Sequence, residues 1–273
     1  MRDNGRLDGR LGQLTPHYIA GAYRVLRLAL NSAVQQGLIR ANPIRQVDPV
    51  RVPRKEMRAL DRSEVQRLLE TARGHEIEPL IALLIHTGLR RSEACGLRWG
   101  DLDLTLGTLT VARGLHVLKR GEWQFEPPKS QAGRRMVALS PIAALALRRH
   151  GEMMEARAAI LGVTLSDDLP VFGRPDFTPM LPDTVSHQFS KIAEKAGLGK
   201  IGLHTLRHTH ATLMLQAGIH PKIVQERLGH SSIQVTLDTY SHVMPGIQAA
   251  AALAFDAALR GGPVPERERE TVG

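Results

Sequence analysis

Apolar side chains recur at helical spacing from Ile19 through Tyr23, Leu26 and Leu30 to Val34, which defines one face of an amphipathic helix. Thr15-Pro16 opens that helix with a hydroxyl N-cap and a proline at the first helical position, and Gly37 can close it in the left-handed conformation. Arg24 and Arg27 fall elsewhere on its surface. A lone amphipathic helix has to pack on something, so this front end is not a complete domain by itself. Asn42-Pro43 and residues 48–58, with Pro49 and Pro53, read as a linker, and the domain boundary is placed near Pro53.

The second segment begins with capping-box spacing, Asp61 to Glu64, ahead of an apolar stripe of Val65, Leu68 and Leu69. A further apolar helix, Leu80 to His86, stops at Gly88. After Trp99 the period changes from helical to alternating. Thr108 to Ala112, Glu122 to Glu126 and Arg134 to Leu139 are predicted as three short strands separated by glycine-containing turns. Ser140-Pro141 restarts helix, and the remainder reads almost wholly helical. The expected class is mainly α with a small antiparallel β-sheet (α+β). Three parts are expected: a partial helical segment and linker at 1–53, a larger domain at 54–260, and a disordered Gly/Pro/Arg/Glu tail at 261–273.

The 273 residues, 42% hydrophobic and 23% charged, suffice for one large domain or one medium domain with a smaller companion. One cysteine, Cys95, leaves no internal disulfide or Cys-rich zinc site and fits a reducing compartment. The start MRDNGRLDGR lacks the apolar core of a secretion signal, and no apolar run is long enough to span a bilayer. A cytoplasmic protein is therefore expected. The net charge of +9 is unevenly spread: residues 1–58 carry eleven Lys/Arg against four Asp/Glu, while the rest is nearly balanced. A basic front end suits a grip on a polyanion, with Arg24, Arg27, Arg51, Arg54 and Lys55 as candidate DNA contacts. A solvated basic face without a partner would look the same.

Four clusters carry candidate chemistry. In Thr87-Gly88-Leu89-Arg90-Arg91-Ser92-Glu93 a helix ends at glycine and an arginine follows almost at once. Its planar fork suits two phosphate oxygens, although a surface arginine capping helix carbonyls would look alike. In His204-Thr205-Leu206-Arg207-His208-Thr209-His210, helical spacing puts His204, Arg207 and His208 on one face. A histidine beside a fixed arginine can donate to a phosphate oxygen or move a proton near neutral pH. Zinc is disfavoured there, because His210 lies on another face and no carboxylate or thiolate completes a set. The third cluster is Leu228-Gly229-His230, and the fourth is Tyr240 within residues 236–242. A tyrosine with its ordinary pKa of about 10 attacks poorly unless cations and a base assist.

Taken together and in that order, TGLRRSE, HTLRHTHAT, LGH and the tyrosine ten positions on resemble the boxes of the tyrosine recombinase, or phage integrase, family. Lys129 in Pro-Pro-Lys-Ser, followed by Arg134-Arg135-Met136-Val137-Ala138-Leu139, matches the family's three-strand region. The resemblance spans about 53–260. It implies the catalytic-domain fold of that family, preceded by a truncated helical core-binding segment. It further implies that Arg90 and Arg207 clamp the scissile phosphate and that His204 and His230 donate hydrogen bonds or shuttle a proton. Lys129 would protonate the departing 5′ oxygen, and Tyr240 would be the nucleophile of a 3′-phosphotyrosyl intermediate. Glu93 would brace the first arginine and His208 the second.

The implied activity is site-specific DNA recombination, for integration or excision of a phage or mobile element, with no metal, cofactor or ATP. The implied partners are double-stranded DNA at specific sites and a homotetramer formed on it, linked by a helix within 247–259. Family members usually carry a full helical clamp, of which the front end here resembles only the last part. A chromosome-dimer resolvase, a non-catalytic DNA-binding remnant and a type IB topoisomerase-like relaxing enzyme remain as alternatives.

Overall fold

The computed structural model describes residues 14–49, 51–52, 58–128, 130–240, 252, 255–256 and 259–260. The chain divides into two compact units, Met1–Glu56 and Met57–Gly273. The expected boundary at Pro53, the tail at 261–273 and most of 247–259 lie outside the described residues, as do Arg54, Lys55 and Lys129.

The first unit is one helix and its return. Helix α1 (Pro16–Gln35) starts as its sequence predicts, with the Thr15 hydroxyl accepting from the Tyr18 amide at 3.3 Å. Gly37 ends it at φ 72°, and the Leu38 amide closes back on Ala33 O at 2.9 Å. A short turn at Pro43–Gln46 then folds back, tied by the Asn42 amide to Arg27 O and Asn31 Oδ1 and by the Tyr23 hydroxyl to Val47 O at 3.1 Å. The apolar stripe faces this return but is only half covered. No residue of α1 is buried, and Tyr18, Val25, Leu26 and Leu28 are exposed. Arg24, Arg27 and Arg51 are exposed as well.

The second unit opens with α2 (Arg62–Ala72), whose Asp61/Glu64 capping box is formed on both sides. Helix α3 (Glu78–Thr87) follows and packs against α2, α5 (Pro141–Ile160) and α7 (Leu203–Gln216). Being enclosed on all sides, α3 is apolar nearly all round, as a core helix should be. Leu80, Leu83 and Leu84 are fully buried, each stabilising the fold by about 1.5–3 kcal/mol relative to exposure. Around it the core draws Leu68 from α2, Leu147 from α5, Phe189 from α6 (Pro182–Lys195) and Leu206 from α7. A smaller cluster joins α7 to α8 (Pro221–Leu228) and α9 (Ile233–Tyr240) through Ala211, Leu215, Val224, Leu228 and Tyr240.

The strand region is richer than the sequence reading. The three expected strands form, as β2 (Thr108–Val111), β4 (Trp123–Glu126) and β5 (Arg135–Ala138). Two further strands, β1 (Leu102–Asp103) and β3 (Gly114–Val117), join them, and the five make two antiparallel sheets, β1-β2-β5 and β3-β4. Leu109 pairs with Val137 and turns with it into the core, while β3 and β4 form a hairpin in which Leu115 faces Phe125. The sequence reading missed β1 because two residues carry no period, and β3 because Gly114 at its head reads as a turn. A second correction falls after α5. Residues 163–181 are not helical: three prolines interrupt them, and Arg98↔Pro170 and Gly173↔Pro179 bridges hold them extended. Among the described residues no helix is long and apolar enough to cross a membrane.

Candidate active site

Two glycine turns and one short helix organise the site. Gly88 caps α3 in the left-handed conformation at φ 67°, and Gly229 does the same for α8 at φ 65°. Neither tolerates a side chain. A Cβ at Gly88 would sit 2.7 Å from the His210 ring and the Leu228 methyl, and one at Gly229 would sit 2.7 Å from the Arg135 guanidinium. The turns leave helix-terminal carbonyls pointing inward, where guanidinium groups collect them. Arg207, only 3% exposed, donates through its two terminal nitrogens to Gly88 O and Leu228 O, both at 2.8 Å. Desolvation by burial and then the neighbouring Arg90 charge lower its pKa to about 10, so it stays a cation at neutral pH.

Arg90 is the N-cap of α4 (Arg91–Cys95). Its guanidinium donates to Glu93 Oε1 at 2.7 Å and to Gly229 O at 3.1 Å, and its amide donates to Glu93 Oε2 at 2.9 Å. Glu93 thus holds Arg90 through both side chain and amide, but Arg90 is not the only group on that carboxylate. Arg135 on β5 grips the same carboxylate with two nitrogens, at 2.9 and 3.2 Å, and donates from Nε to Arg227 O at 2.7 Å. Both side chains of this pair are 7% exposed. Burial pushes the Glu93 carboxyl up, but the Arg135 hydrogen bond and charge, followed by those of Arg90, outweigh it and leave its pKa lowered. Sequence reasoning quoted Arg135 only as part of a strand. A signal was present: by the two-residue period it shares the inward face with Val137, where a charge needs a buried partner.

His204 stands in the first turn of α7 with its outer edge exposed. His230 follows Gly229, and its Nδ1 lies 2.9 Å from the Thr236 hydroxyl. Desolvation first, then the charges of Arg207 and Arg90, lower the pKa of both rings, His230 to about 4. Both are neutral near pH 7. Tyr240 ends α9, 3% exposed, with its ring stacked on His208 at 4.9 Å between centroids. Burial raises the pKa of its hydroxyl, and the Arg207 charge offsets part of that rise. His210 is structural. Its Nδ1 meets Ile85 O at 2.9 Å and its Nε2 accepts from Arg227 Nε at 3.0 Å, so neither nitrogen is open to a metal. Among the described residues no group of three or more His, Cys, Asp or Glu side chains is gathered as a ligand set.

A cleft of about 670 Å³ lies over this assembly, lined by Arg90, Arg91, His116, Ser186, His204 and Arg207 among others. A second cavity of about 250 Å³ lies on the other side of Arg90, lined by Glu93, Glu126, Pro128, Ser130 and Gly229. The structure therefore brings Arg90, Glu93, His204, Arg207 and His230 together, with Tyr240 stacked on His208 and near enough to Arg207 to feel its charge. Two held guanidinium groups, with neutral His204 on the cleft beside them and neutral His230 close by, are a charge and donor pattern that suits a tetrahedral oxyanion.

The profile of the phage integrase family matches residues 58–246, and the chain belongs to that family. It is 28% identical over 239 residues to the tyrosine recombinase XerC-like protein of Caldanaerobacter subterraneus subsp. tengcongensis, covering 81% of this chain and 61% of that one. It is also 28% identical to the ICEBs1 integrase of Bacillus subtilis, over 83% of this chain and 61% of the relative. The chain thus spans about three fifths of the length of the curated relatives it matches. Among solved structures, the Tn1549 transposon integrase in complex with transposon right end DNA superimposes with a TM-score of 0.72. That likeness covers 90% of this chain and 80% of the other at 25% identity.

Proposed function

We propose that the chain is a site-specific DNA recombinase that integrates or excises a phage or mobile element through a 3′-phosphotyrosyl intermediate. The observation that carries this reading is that Arg90, His204 and Arg207 line one cleft, with His230 near enough to feel all three and Tyr240 stacked on His208, the neighbour of Arg207 on α7. Arg90 and Arg207 hold the non-bridging oxygens of the scissile phosphate. The Tyr240 oxygen attacks phosphorus, the bond to the 5′ oxygen breaks, and that oxygen leaves with a proton from Lys129. The tyrosyl proton passes to a neutral histidine. Rejoining is the same sequence reversed with a different 5′ hydroxyl, so the energy of the broken bond is kept in the phosphotyrosine and no ATP is spent. The two arginines supply the charge stabilisation that phosphoryl transfer demands.

Exchange between two duplexes breaks four strands, and each chain offers one Tyr240. The working assembly is accordingly a homotetramer on two DNA sites. The basic residues Arg24, Arg27 and Arg51 of segment 1–53, with Arg54 and Lys55 just after it, extend the grip on DNA, while the remainder of 54–260 carries the chemistry. The test is covalent capture from a randomised pool of nicked duplexes, with protein-linked DNA recovered on denaturing gels in the presence of EDTA. The unsubstituted chain should trap DNA and Tyr240→Phe should trap none, with DNA affinity unchanged in a mobility-shift assay. An adduct that survives in the phenylalanine variant assigns the nucleophile elsewhere.

A further inference from the structure

The hydrogen bond between His230 and Thr236 is not used by the chemistry above, and its surroundings give it a definite meaning. Thr236 is 0% exposed, so solvent does not compete for its hydroxyl. It lies on α9 four residues before Tyr240, on the same helix face, and both are buried. His230 is close enough to Arg207 and His204 of α7, Arg90 at the cap of α4 and Arg135 of β5 for each to bear on it. These neighbours are cations or another histidine, and the group that meets Nδ1 is a hydroxyl.

That choice of partner matters. A carboxylate at Nδ1 accepts only, fixes the proton on that nitrogen and favours the imidazolium. A threonine hydroxyl has one donor and two acceptor positions. When it accepts, Nδ1 carries the proton and Nε2 is a free base. When it donates, Nε2 carries the proton and can be given to a phosphate oxygen. We propose that Thr236 is a positioning residue that holds the His230 ring fixed in either tautomer, and that it does so only while the helix bearing Tyr240 is docked. The proposal rests on the cleavage-and-rejoining reading, in which one histidine must act as acceptor and as donor in turn. It also ties the readiness of His230 to the placement of the nucleophile, because a shift of α9 withdraws Oγ1 and Tyr240 together.

The test compares Thr236→Val, which keeps the shape and removes the hydroxyl, with Thr236→Ser, which restores it. Single-turnover adduct formation on a nicked duplex recovered from the randomised pool is followed across pH, beside DNA affinity and thermal melting. Thr236→Val should lower the adduct rate about 10- to 100-fold, by analogy with losing the partner that orients a metal-bound histidine. It should also change the pH profile, with affinity and fold retained, and Thr236→Ser should return the rate to within about threefold. A valine variant as fast as the unsubstituted chain, or a folded serine variant as slow as valine, overturns the proposal. Failure of the unsubstituted chain to trap any DNA would instead count against the recombinase reading. A second measurement needs no substitution of Thr236. Nitrogen-15 NMR of histidine-labelled full chain, with His230 assigned by its loss in His230→Gln, reads the tautomer directly. Ring nitrogen shifts intermediate between the two pure tautomers support the two-way hydroxyl, and a ring locked in one tautomer refutes it.

Discussion

Replacing Arg135 by methionine keeps most of its bulk and removes its charge and all its donors. The cost follows from the partners left behind. Glu93 loses two charged hydrogen bonds, at 2.9 and 3.2 Å, and Arg227 O loses one at 2.7 Å. Breaking a buried ion pair from one side costs about 3–5 kcal/mol, because the remaining charge is uncompensated. Here Glu93 keeps Arg90, which bonds it through side chain and amide, so the lower end, about 3 kcal/mol, is expected. For a unit of this size that lowers Tm by roughly 10 °C. The effect also has a pH signature. The lowered pKa of Glu93 is a contribution to stability that is present above the ordinary carboxylate range and lost as pH falls through the folded-state value. Arg135 is the main group holding that pKa down, so the gap between the two proteins should be widest at neutral pH and close in acid.

Urea denaturation at neutral pH and again below about pH 4, where carboxylates protonate, measures both quantities. A double-mutant cycle with Glu93→Gln separates a shared network from two independent sites, and the pair should couple by more than about 1 kcal/mol. Adduct formation should fall with stability restored by cooling, because Glu93, which holds Arg90, then loses the Arg135 side of its own two-sided grip. A destabilisation below about 0.5 kcal/mol, or strict additivity with Glu93→Gln, would refute the idea that Arg135 anchors the first arginine.

Two further outcomes follow from the same geometry. Arg207→Lys should reduce single-turnover strand cleavage by about 10²-fold or more, since a single ammonium nitrogen cannot copy the planar two-nitrogen fork that reaches Gly88 O and Leu228 O and still faces a phosphate; a loss under tenfold would mean that the fork is not needed. The folded pKa of His210 is lowered to about 4 from 6.5, so the unfolded chain takes up its proton first and stability drops as pH falls between those values. The expected loss is about 3 kcal/mol, levelling off below the folded value. Urea midpoints should show it, His210→Gln should flatten the slope, and a variant with the same slope as the parent would rule out His210 as its source.

What could be read from the sequence was what local rules decide. Thr15-Pro16, the Asp61/Glu64 box, Gly88 and Ser140-Pro141 fix helix ends through neighbours a few residues away, and each acts in the structure as its spacing implies. The order of elements and the mainly helical character follow from them. The split into two sheets was not legible, because β3 takes its place from pairing with β4 and from packing against α4. Nor was the extended stretch after α5, which is held by bridges to residues as distant as Arg98. Within the site, the named boxes held Arg90, His204 and Arg207, which line the cleft. Those behind it, Arg135 and Thr236, escaped because an arginine in a strand and a threonine in a helix look ordinary until the partner is known. Both nonetheless sat at positions whose period turned them inward.

The resting site is unbalanced in charge, and the imbalance explains its other properties. Three arginines, Arg90, Arg135 and Arg207, surround one carboxylate, Glu93. Each cation is tied to backbone carbonyls near the C-terminal ends of α3 and α8, where the helix dipoles are negative. Those ties hold the guanidinium groups in place with no anion bound, so little reorganisation is left for the moment a phosphate gathers charge. Burial first, and the same surplus after it, push protons off His204 and His230, which keeps both available as acceptors at neutral pH. Tyr240 responds in the opposite sense: burial against His208 keeps its hydroxyl protonated, and Arg207 only partly relieves this. A bound phosphate would cancel much of that relief. The tyrosine therefore cannot wait as an anion. In the proposed reaction it gives up its proton as it attacks, to a neutral base held in place beforehand, and burial together with the arginine surplus keeps such a base neutral.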